Sequence, residues 1–198
     1  FKRWSFLKKF SKKDFNNIDF AYPQNKETYN FLKSLDVKNI KKIGNLKFSE
    51  SKKDESKSFS KNFLNLIKNR LIFCAASTHS NEEILIAKTH INLKNKYKNI
   101  LTIIIPRHVH RVNKIYSSLK NLGLEVQIKE ETDDIDNLAD VVLVNYYGSV
   151  NKYLQNINQI FIGKSILKKF ENSGGQNPLE AAKIGCHIFH GPYVSNFE

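Results

Sequence analysis

From residue 71 onward, short apolar runs alternate with amphipathic stretches, and this alternation limits the fold more than any other feature of the chain. The run at residues 71–76 is continuously apolar, which is typical of a strand buried on both faces of a sheet. Strands that alternate with helices form parallel sheets with helices on both faces. We therefore predict an α/β fold, with strands at residues 71–76, 100–105, 124–128, 141–144, 160–162 and 186–189.

Capping and helix-breaking residues mark the predicted helix ends. Ser80 or Asn81 can cap a helix whose first turn contains two glutamates, where negative charge is favourable. Further helices are predicted over residues 108–122 and from residue 177. Each is followed by a glycine that can take the left-handed conformation and end it, namely Gly123 and Gly185.

Polar loops containing Gly or Pro accompany the predicted strands. In a parallel sheet the carboxyl ends of the strands meet along one edge, and ligands collect there. The sequence therefore predicts a binding site at this edge, built from residues 77–79, 106–108, 145–149, 163–165 and 174–177.

The first third of the chain has a different organisation. Residues 1–48 form a shorter α/β segment, with a predicted helix at 27–35 and a predicted strand at 40–43. Polar and charged residues that are typical of a linker follow. We therefore predict a shorter α/β segment at residues 1–48, a linker at 49–69 and a domain at 70–198.

Positive charge is concentrated in this first third. Residues 1–70 contain 18 Lys and Arg against 7 Asp and Glu, whereas residues 71–198 contain 14 against 12. Such a segment favours nucleic acid, an anionic membrane surface or a phosphorylated lipid as partner. Specific nucleic acid is not expected, because base recognition favours arginine and only Arg3 and Arg70 lie in this region. An AT-rich coding sequence, which enriches lysine, is an alternative origin of the charge.

Cysteine and hydropathy patterns exclude several classes. Cys74 and Cys186 are far apart and lack metal-ligand spacing, so we expect a reducing compartment, no disulfide framework and no metal site. No apolar run approaches the roughly 18 residues of a membrane-spanning helix. The chain begins at Phe1 without a signal peptide, and we expect it to be a fragment.

Residues 173–182 form the sharpest motif. Two glycines at its start let backbone N–H groups approach a phosphate, and a helix starting at Asn177 would point its positive end at the same place. Pro178 suits the first turn of such a helix, and Glu180 can accept hydrogen bonds from a ribose. An ordinary capped helix after a glycine turn explains the same residues, so both interpretations stay open.

A second candidate follows the strand at residues 100–105. Arg107, directly after Pro106, is a natural bidentate phosphate donor, whereas His108 and His110 also fit exposed helix positions. His79, at the end of the first strand, is not explained by helix capping. The chain lacks the nucleophilic serine elbow, the P-loop and the dinucleotide fingerprint.

Several of these segments occur together in an order that resembles the 3-deoxy-D-manno-octulosonic acid (Kdo) transferases. These lipopolysaccharide-building enzymes have the glycosyltransferase B architecture, with two Rossmann-like domains. The resemblance implies that residues 1–48 end the acceptor-binding domain and that residues 70–198 are most of the nucleotide-sugar-binding domain. The segments are residues 44–48, 75–83, 103–108, 161–165, 174–181 and 191–197.

The resemblance also implies an activity, which is transfer of Kdo from CMP-Kdo to a lipid A precursor, without a cofactor. The expected location is the cytoplasmic face of the bacterial inner membrane. The family's general base and membrane anchor lie upstream of the matched residues, so no catalytic residue is expected in this chain. Matched by motif, the CMP contacts fall on Pro106, Arg107, Gly148, Ser149, Val150, Asn177, Pro178, Leu179 and Glu180. A further rim would consist of Ser77, Thr78, His79, Gly163 and Ser165.

The sequence departs from the family pattern in its middle loop. The family usually reads Asp-Thr-x-Gly-Glu there, whereas this chain reads Asn145-Tyr146-Tyr147-Gly148-Ser149 and so lacks two carboxylates. A nucleotide-sugar-binding domain without transferase activity is therefore an alternative interpretation. A basic module that binds membranes or nucleic acid is another, and it depends only on the charge of residues 1–70.

Overall fold

The computed structural model describes residues 8–43 and 59–195 and divides the chain into two compact units. The smaller unit spans Phe1–Lys53 and the larger unit spans Asp54–Glu198. The 44–48 segment, most of the polar stretch before residue 60, and residues 196–197 of the last matched segment lie outside the described residues.

The larger unit is built on one six-stranded sheet in which every strand pair is parallel. The strand order across the sheet is β3-β4-β2-β1-β5-β6. The predicted α/β fold with a Rossmann-like parallel sheet is therefore confirmed. The strands are β1 (Leu71–Thr78), β2 (Ile100–Pro106), β3 (Val126–Lys129), β4 (Val141–Val144), β5 (Gln159–Ile162) and β6 (His187–Phe189).

Seven α-helices are found in the described residues. Two of them, α1 and α2, belong to the smaller unit, and the other five belong to the larger one. They are α1 (Lys8–Phe15), α2 (Lys26–Ser34), α3 (Lys61–Asn69), α4 (Glu82–Lys96), α5 (Val112–Lys120), α6 (Val150–Leu154) and α7 (Leu179–Ile184).

Helices cover both faces of the sheet, because consecutive strand residues point to opposite sides. On β2, Ile104 packs with α4 and α5, whereas its neighbour Ile103 packs with α3, α6 and α7. All seven residues of β2 are buried. This double burial explains why the strand reads as a continuous apolar run rather than an alternating one.

The predicted linker at residues 49–69 is too long. Residues 61–69 form α3, whose N-cap Ser60 accepts a hydrogen bond from the N–H of Phe63. Phe63 and Leu66 are buried in the core beneath the sheet. Their burial stabilises the helix, and this part of the chain belongs to the larger unit.

In the smaller unit, α2 packs around a compact apolar cluster that includes Leu32, Leu35 and Val37. The helix predicted at residues 27–35 is therefore present, and Asn25 caps it. The strand predicted at residues 40–43 is reduced to one parallel bridge between Ala21 and Ile40.

One predicted helix end is confirmed, because Gly185 caps α7 with a φ of 84°. Helix α5 ends earlier than predicted, at Lys120, and Gly123, with a φ of 79°, lies in the turn that follows it. Asn81 precedes α4 in the left-handed conformation and makes no side-chain capping bond. The helix predicted over residues 108–122 begins as a short 3-10 turn, Val109–Arg111, before α5.

None of the helices in the described ranges 8–43 and 59–195 combines the length and apolarity that a membrane span requires.

The amino-terminal end of the sheet contains a buried polar cluster around His90 of α4. The His90 side chain is inaccessible to solvent, and its Nδ1 lies 2.9 Å from the Thr102 hydroxyl of β2. Its Nε2 lies 3.7 Å from Asp140, which also forms an ion pair with Lys94. Burial lowers the pKa of His90, although Asp140 acts in the opposite direction. The folded chain therefore holds this imidazole neutral.

We expect this histidine to make the folded state less stable in mild acid. As the pH falls below about 6.5, the ordinary pKa of histidine, the unfolded chain binds a proton that the folded chain excludes. The loss approaches about 1.4 kcal/mol per pH unit for one such group. Urea unfolding of the wild type and His90→Gln between pH 7.5 and 5.5 measures this difference.

The expected result is a smaller loss of stability in His90→Gln than in the wild type over this pH range. His187→Gln is the matched control, because His187 is exposed on β6, and it should retain the wild-type slope. Equal slopes for the wild type and His90→Gln would contradict the prediction.

Candidate functional site

The loops that the sequence places at one edge of the sheet do lie there, because β1, β2, β4 and β5 run parallel. The chain leaves β1 for β2 on one side, and β5 pairs with β1 on the other. The strand order therefore changes direction between β1 and β5, and the site lies at the carboxyl ends of these two strands. In open α/β sheets this is where a crevice forms and ligands bind.

The loops after β1 and β5 are held together by the buried carboxylate of Glu82, the first residue of α4. Its Oε2 accepts hydrogen bonds from the N–H groups of His79 at 2.9 Å and Lys164 at 2.7 Å. Its Oε1 accepts from the N–H groups of Ser165 at 3.0 Å and Ile166 at 3.3 Å. One negative charge thus organises backbone from two strand ends. Sequence reasoning assigned this glutamate only a helix-dipole role.

Glu83 performs a similar task towards the loop after β2. Glu83 is 2% exposed, and its carboxylate accepts a hydrogen bond from the Thr78 hydroxyl at 2.9 Å and forms a two-pronged ion pair with Arg111. Bidentate arginine–carboxylate pairs fix orientation as well as distance. Thr78, a predicted rim residue, is itself fully buried and acts as a brace.

Close backbone packing explains the predicted rim residues Gly163 and Ser165. A Cβ at Gly163 would overlap the Ser77 carbonyl oxygen, so only glycine fits beside β1. The Ser165 hydroxyl is buried, donates to the Ile162 carbonyl at 2.7 Å and accepts from the Gly191 N–H at 3.0 Å. These residues support the site from within.

Arg107 reaches the same edge from β2. Pro106 is buried as the last residue of β2, and the Arg107 N–H donates to the Thr78 carbonyl at 3.0 Å. The Arg107 side chain is exposed. The backbone bond fixes the base of this side chain next to the end of β1, and its guanidinium is left accessible to an anion.

The middle loop, residues 145–149, exposes main-chain groups to a ligand at Gly148. Gly148 is exposed, with a φ of 74° and open space where a Cβ would lie. Ser149 is buried, and its hydroxyl donates to the Tyr146 carbonyl at 3.4 Å. Val150 begins α6. A ligand here would meet main-chain groups of this loop and not the Ser149 hydroxyl.

The 174–181 motif differs from prediction in one respect, because its helix begins at Leu179 and not at Asn177. The Asn177 side chain accepts a hydrogen bond from the Leu179 N–H at 3.0 Å, and Pro178 is the residue before the helix. One N–H group expected to face a phosphate is therefore occupied by the protein. The Glu180 side chain is exposed.

Three imidazoles line the middle of the edge. The ring centroids of His79 and His108 are 6.0 Å apart, and those of His108 and His110 are 5.6 Å apart. Within residues 8–43 and 59–195, no group of three His, Cys, Asp or Glu side chains is arranged to hold a metal ion. What these loops can do chemically is bind an anion through Arg107, backbone N–H groups and histidine.

Comparisons with known proteins give consistent results. The chain is 28% identical over 195 residues to a 3-deoxy-D-manno-octulosonic acid transferase of Rickettsia felis, which covers 98% of the chain. It is 32% identical over 157 residues, or 78% of the chain, to the transferase of that name in Haemophilus influenzae. These matches cover 41% and 35% of the two relatives, so the chain spans about two fifths of their length or less.

A solved structure is also similar. It is the C-terminal CMP-Kdo binding domain of WaaA from Acinetobacter baumannii, with a TM-score of 0.60 and 26% sequence identity. The match covers 68% of this chain and 67% of that one. No family model matches the chain.

We expect Glu82→Gln to destabilise the fold by about 2–4 kcal/mol, because an amide nitrogen would replace one acceptor oxygen and face backbone donors. Urea unfolding at pH 7.5 measures the change. Glu125→Gln is the matched control, because Glu125 is exposed and pairs with Lys120 at the surface, where such pairs contribute under about 1 kcal/mol. Similar losses in both variants would contradict the assigned role of Glu82.

Proposed function

We propose that this chain, which belongs to the family of Kdo transferases, binds the nucleotide-sugar donor CMP-Kdo at the carboxyl edge of its sheet. The family resemblance read from the sequence is confirmed by these relatives. The observation that carries the proposal is the similarity of this chain to a CMP-Kdo binding domain. The crevice edge described above agrees with that assignment.

The proposed contacts are divided among three loops. Arg107 would bind the phosphate of the donor, and the negative charge that grows on that phosphate as CMP leaves would be stabilised by the same guanidinium. The residues from Asn177 to Glu180 would hold the ribose and the nucleotide backbone. Gly148, Ser149 and Val150 would contribute main-chain groups.

The proposed reaction is transfer of Kdo to a lipid A precursor in lipopolysaccharide biosynthesis. Within that reaction, the role of this chain is to bind and orient the donor. Preorganised loops suit this task, because groups aimed at a leaving phosphate need not reorganise during the reaction. Glu82 and Glu83 supply this preorganisation by fixing the loops after β1, β2 and β5.

We also propose that the smaller unit contacts the anionic cytoplasmic face of the bacterial inner membrane. Phe10, Phe20 and Tyr22 are 60%, 53% and 49% exposed. Aromatic side chains at this exposure, together with lysines, are typical of surfaces that bind the membrane interface. The basic first third of the sequence supports the same assignment.

Arg107→Ala should weaken CMP binding by about 1.5–3 kcal/mol, since a hydrogen bond to a charged group is lost. Isothermal titration with CMP measures the effect. Lys88→Ala is the matched control, because it removes one exposed positive charge in the middle of α4. Unchanged affinity in Arg107→Ala, or an equal loss in both variants, would count against Arg107 as a phosphate ligand.

Flotation with vesicles of phosphatidylcholine and phosphatidylglycerol tests the membrane assignment. Replacing Lys2, Arg3, Lys8, Lys9, Lys12 and Lys13 by Gln should abolish flotation, because each basic residue near an anionic surface contributes on the order of 1 kcal/mol. Replacing Lys52, Lys53 and Lys57 should have little effect. Equal loss from both sets would show that the charge acts without a defined docking face.

A further inference from the structure

Ser77 has a backbone conformation that residues other than glycine rarely adopt. Its φ is 55°, and the register of β1 against β2 shifts between Ala76 and Thr78 at the same place. The left-handed conformation is strained for a residue that has a Cβ. Such strain at the end of a strand beside a ligand crevice calls for a functional explanation.

The consequence of this conformation is the position of the Ser77 carbonyl, which lies 3.1 Å from Nδ1 of His79. A carbonyl oxygen can only accept a hydrogen bond, so Nδ1 must carry the proton. The other ring nitrogen, Nε2, is then the one available to a ligand. Ser77 therefore fixes both the tautomer and the direction of the His79 ring.

The surroundings of this ring combine apolar contact with charge. Phe170 packs edge-on against His79 with a centroid distance of 5.6 Å, and His108 lies on another side. Glu82 and Lys164 are the charged groups that act on it. Partial burial lowers the pKa of His79, while the Ser77 carbonyl and Glu82 act in the opposite direction. The ring is neutral at pH 7.5 when no anion is bound.

We propose that His79 contacts the nucleotide directly, with Nε2 taking a proton from solvent when the nucleotide binds and donating a hydrogen bond to a phosphate oxygen. This inference rests on the proposed function, since it assigns a further residue to the same site. The Arg107 N–H donates to the carbonyl of Thr78, the residue that precedes His79 in the chain. Arg107 and His79 therefore start close together and can bind one phosphate.

The proton balance follows from charge. A phosphate beside an imidazole favours the charged ring, so one proton moves from the buffer to Nε2 as the complex forms. The second pKa of a phosphate monoester is near 6. At pH 7.5 free CMP is therefore largely a dianion, and the neighbouring Arg107 guanidinium favours that dianion, so the phosphate itself gains no proton on binding. Binding should tighten as the pH falls from 8.5 to 7.

Titration calorimetry with CMP at pH 7.5, in two buffers of different ionisation enthalpy, measures the proton uptake directly. The wild type should take up a substantial fraction of one proton. His79→Asn keeps a group near Nδ1 but removes Nε2, and it should lose this uptake and bind CMP about 10-fold more weakly. His79→Gln places a neutral amide near Nε2, and it should lose the uptake with a smaller loss of affinity.

The control is His187→Gln, which alters an exposed histidine on β6 and should bind CMP as the wild type does, with the same uptake. A wild type that binds CMP without taking up a proton overturns this inference and leaves the proposed function standing. Wild-type uptake that persists in both His79 variants overturns it equally. A wild type that does not bind CMP overturns the proposed function itself.

Discussion

The carboxylate of Glu82 is the interaction on which the candidate site depends. A buried charge is costly unless hydrogen bonds replace its hydration. Four backbone N–H groups do so here, and they come from the loops after β1 and β5. Neither loop forms regular secondary structure that could satisfy these N–H groups internally. The anion and the loops therefore stabilise one another, and the edge of the sheet is shaped before any ligand arrives.

Much of the fold could be predicted because burial on both faces leaves a plain sequence signal. The fully buried β2 and β4 read as uninterrupted apolar runs, and their bounds match the prediction closely. Helix α3 was missed although the sequence signals it, because the polar stretch before it was extended too far. Ser60 is a typical N-cap, and the apolar residues that follow it recur at helical spacing, namely Phe63, Leu64, Leu66 and Ile67.

The position of the candidate site could be predicted from the sequence, but the contacts that hold its loops in place could not. Chain order and strand polarity place Arg107, His79 and Gly163 along one edge, and the structure has them there. The capping role given to Asn81 was wrong, because Asn81 makes no side-chain capping bond, and the Glu82 carboxylate instead accepts the His79 N–H just before α4. The sequence shows two adjacent glutamates at a helix start, which is also the pattern of an ordinary helix dipole interaction. Nothing local reveals that one of them reaches residues more than eighty positions away.

The distribution of charge also limits what this edge can bind. Arg111 is neutralised by Glu83, and the Lys169 ammonium donates to the Ser80 carbonyl at 2.6 Å. The exposed guanidinium of Arg107 is left to attract an anion, alongside His79, to which we assign a charge in the nucleotide complex. A long polyanion such as nucleic acid requires a row of permanent cations, because its affinity grows with the number of phosphates neutralised. A guanidinium beside an imidazole that can gain a proton is matched to a single phosphate rather than to a row of them.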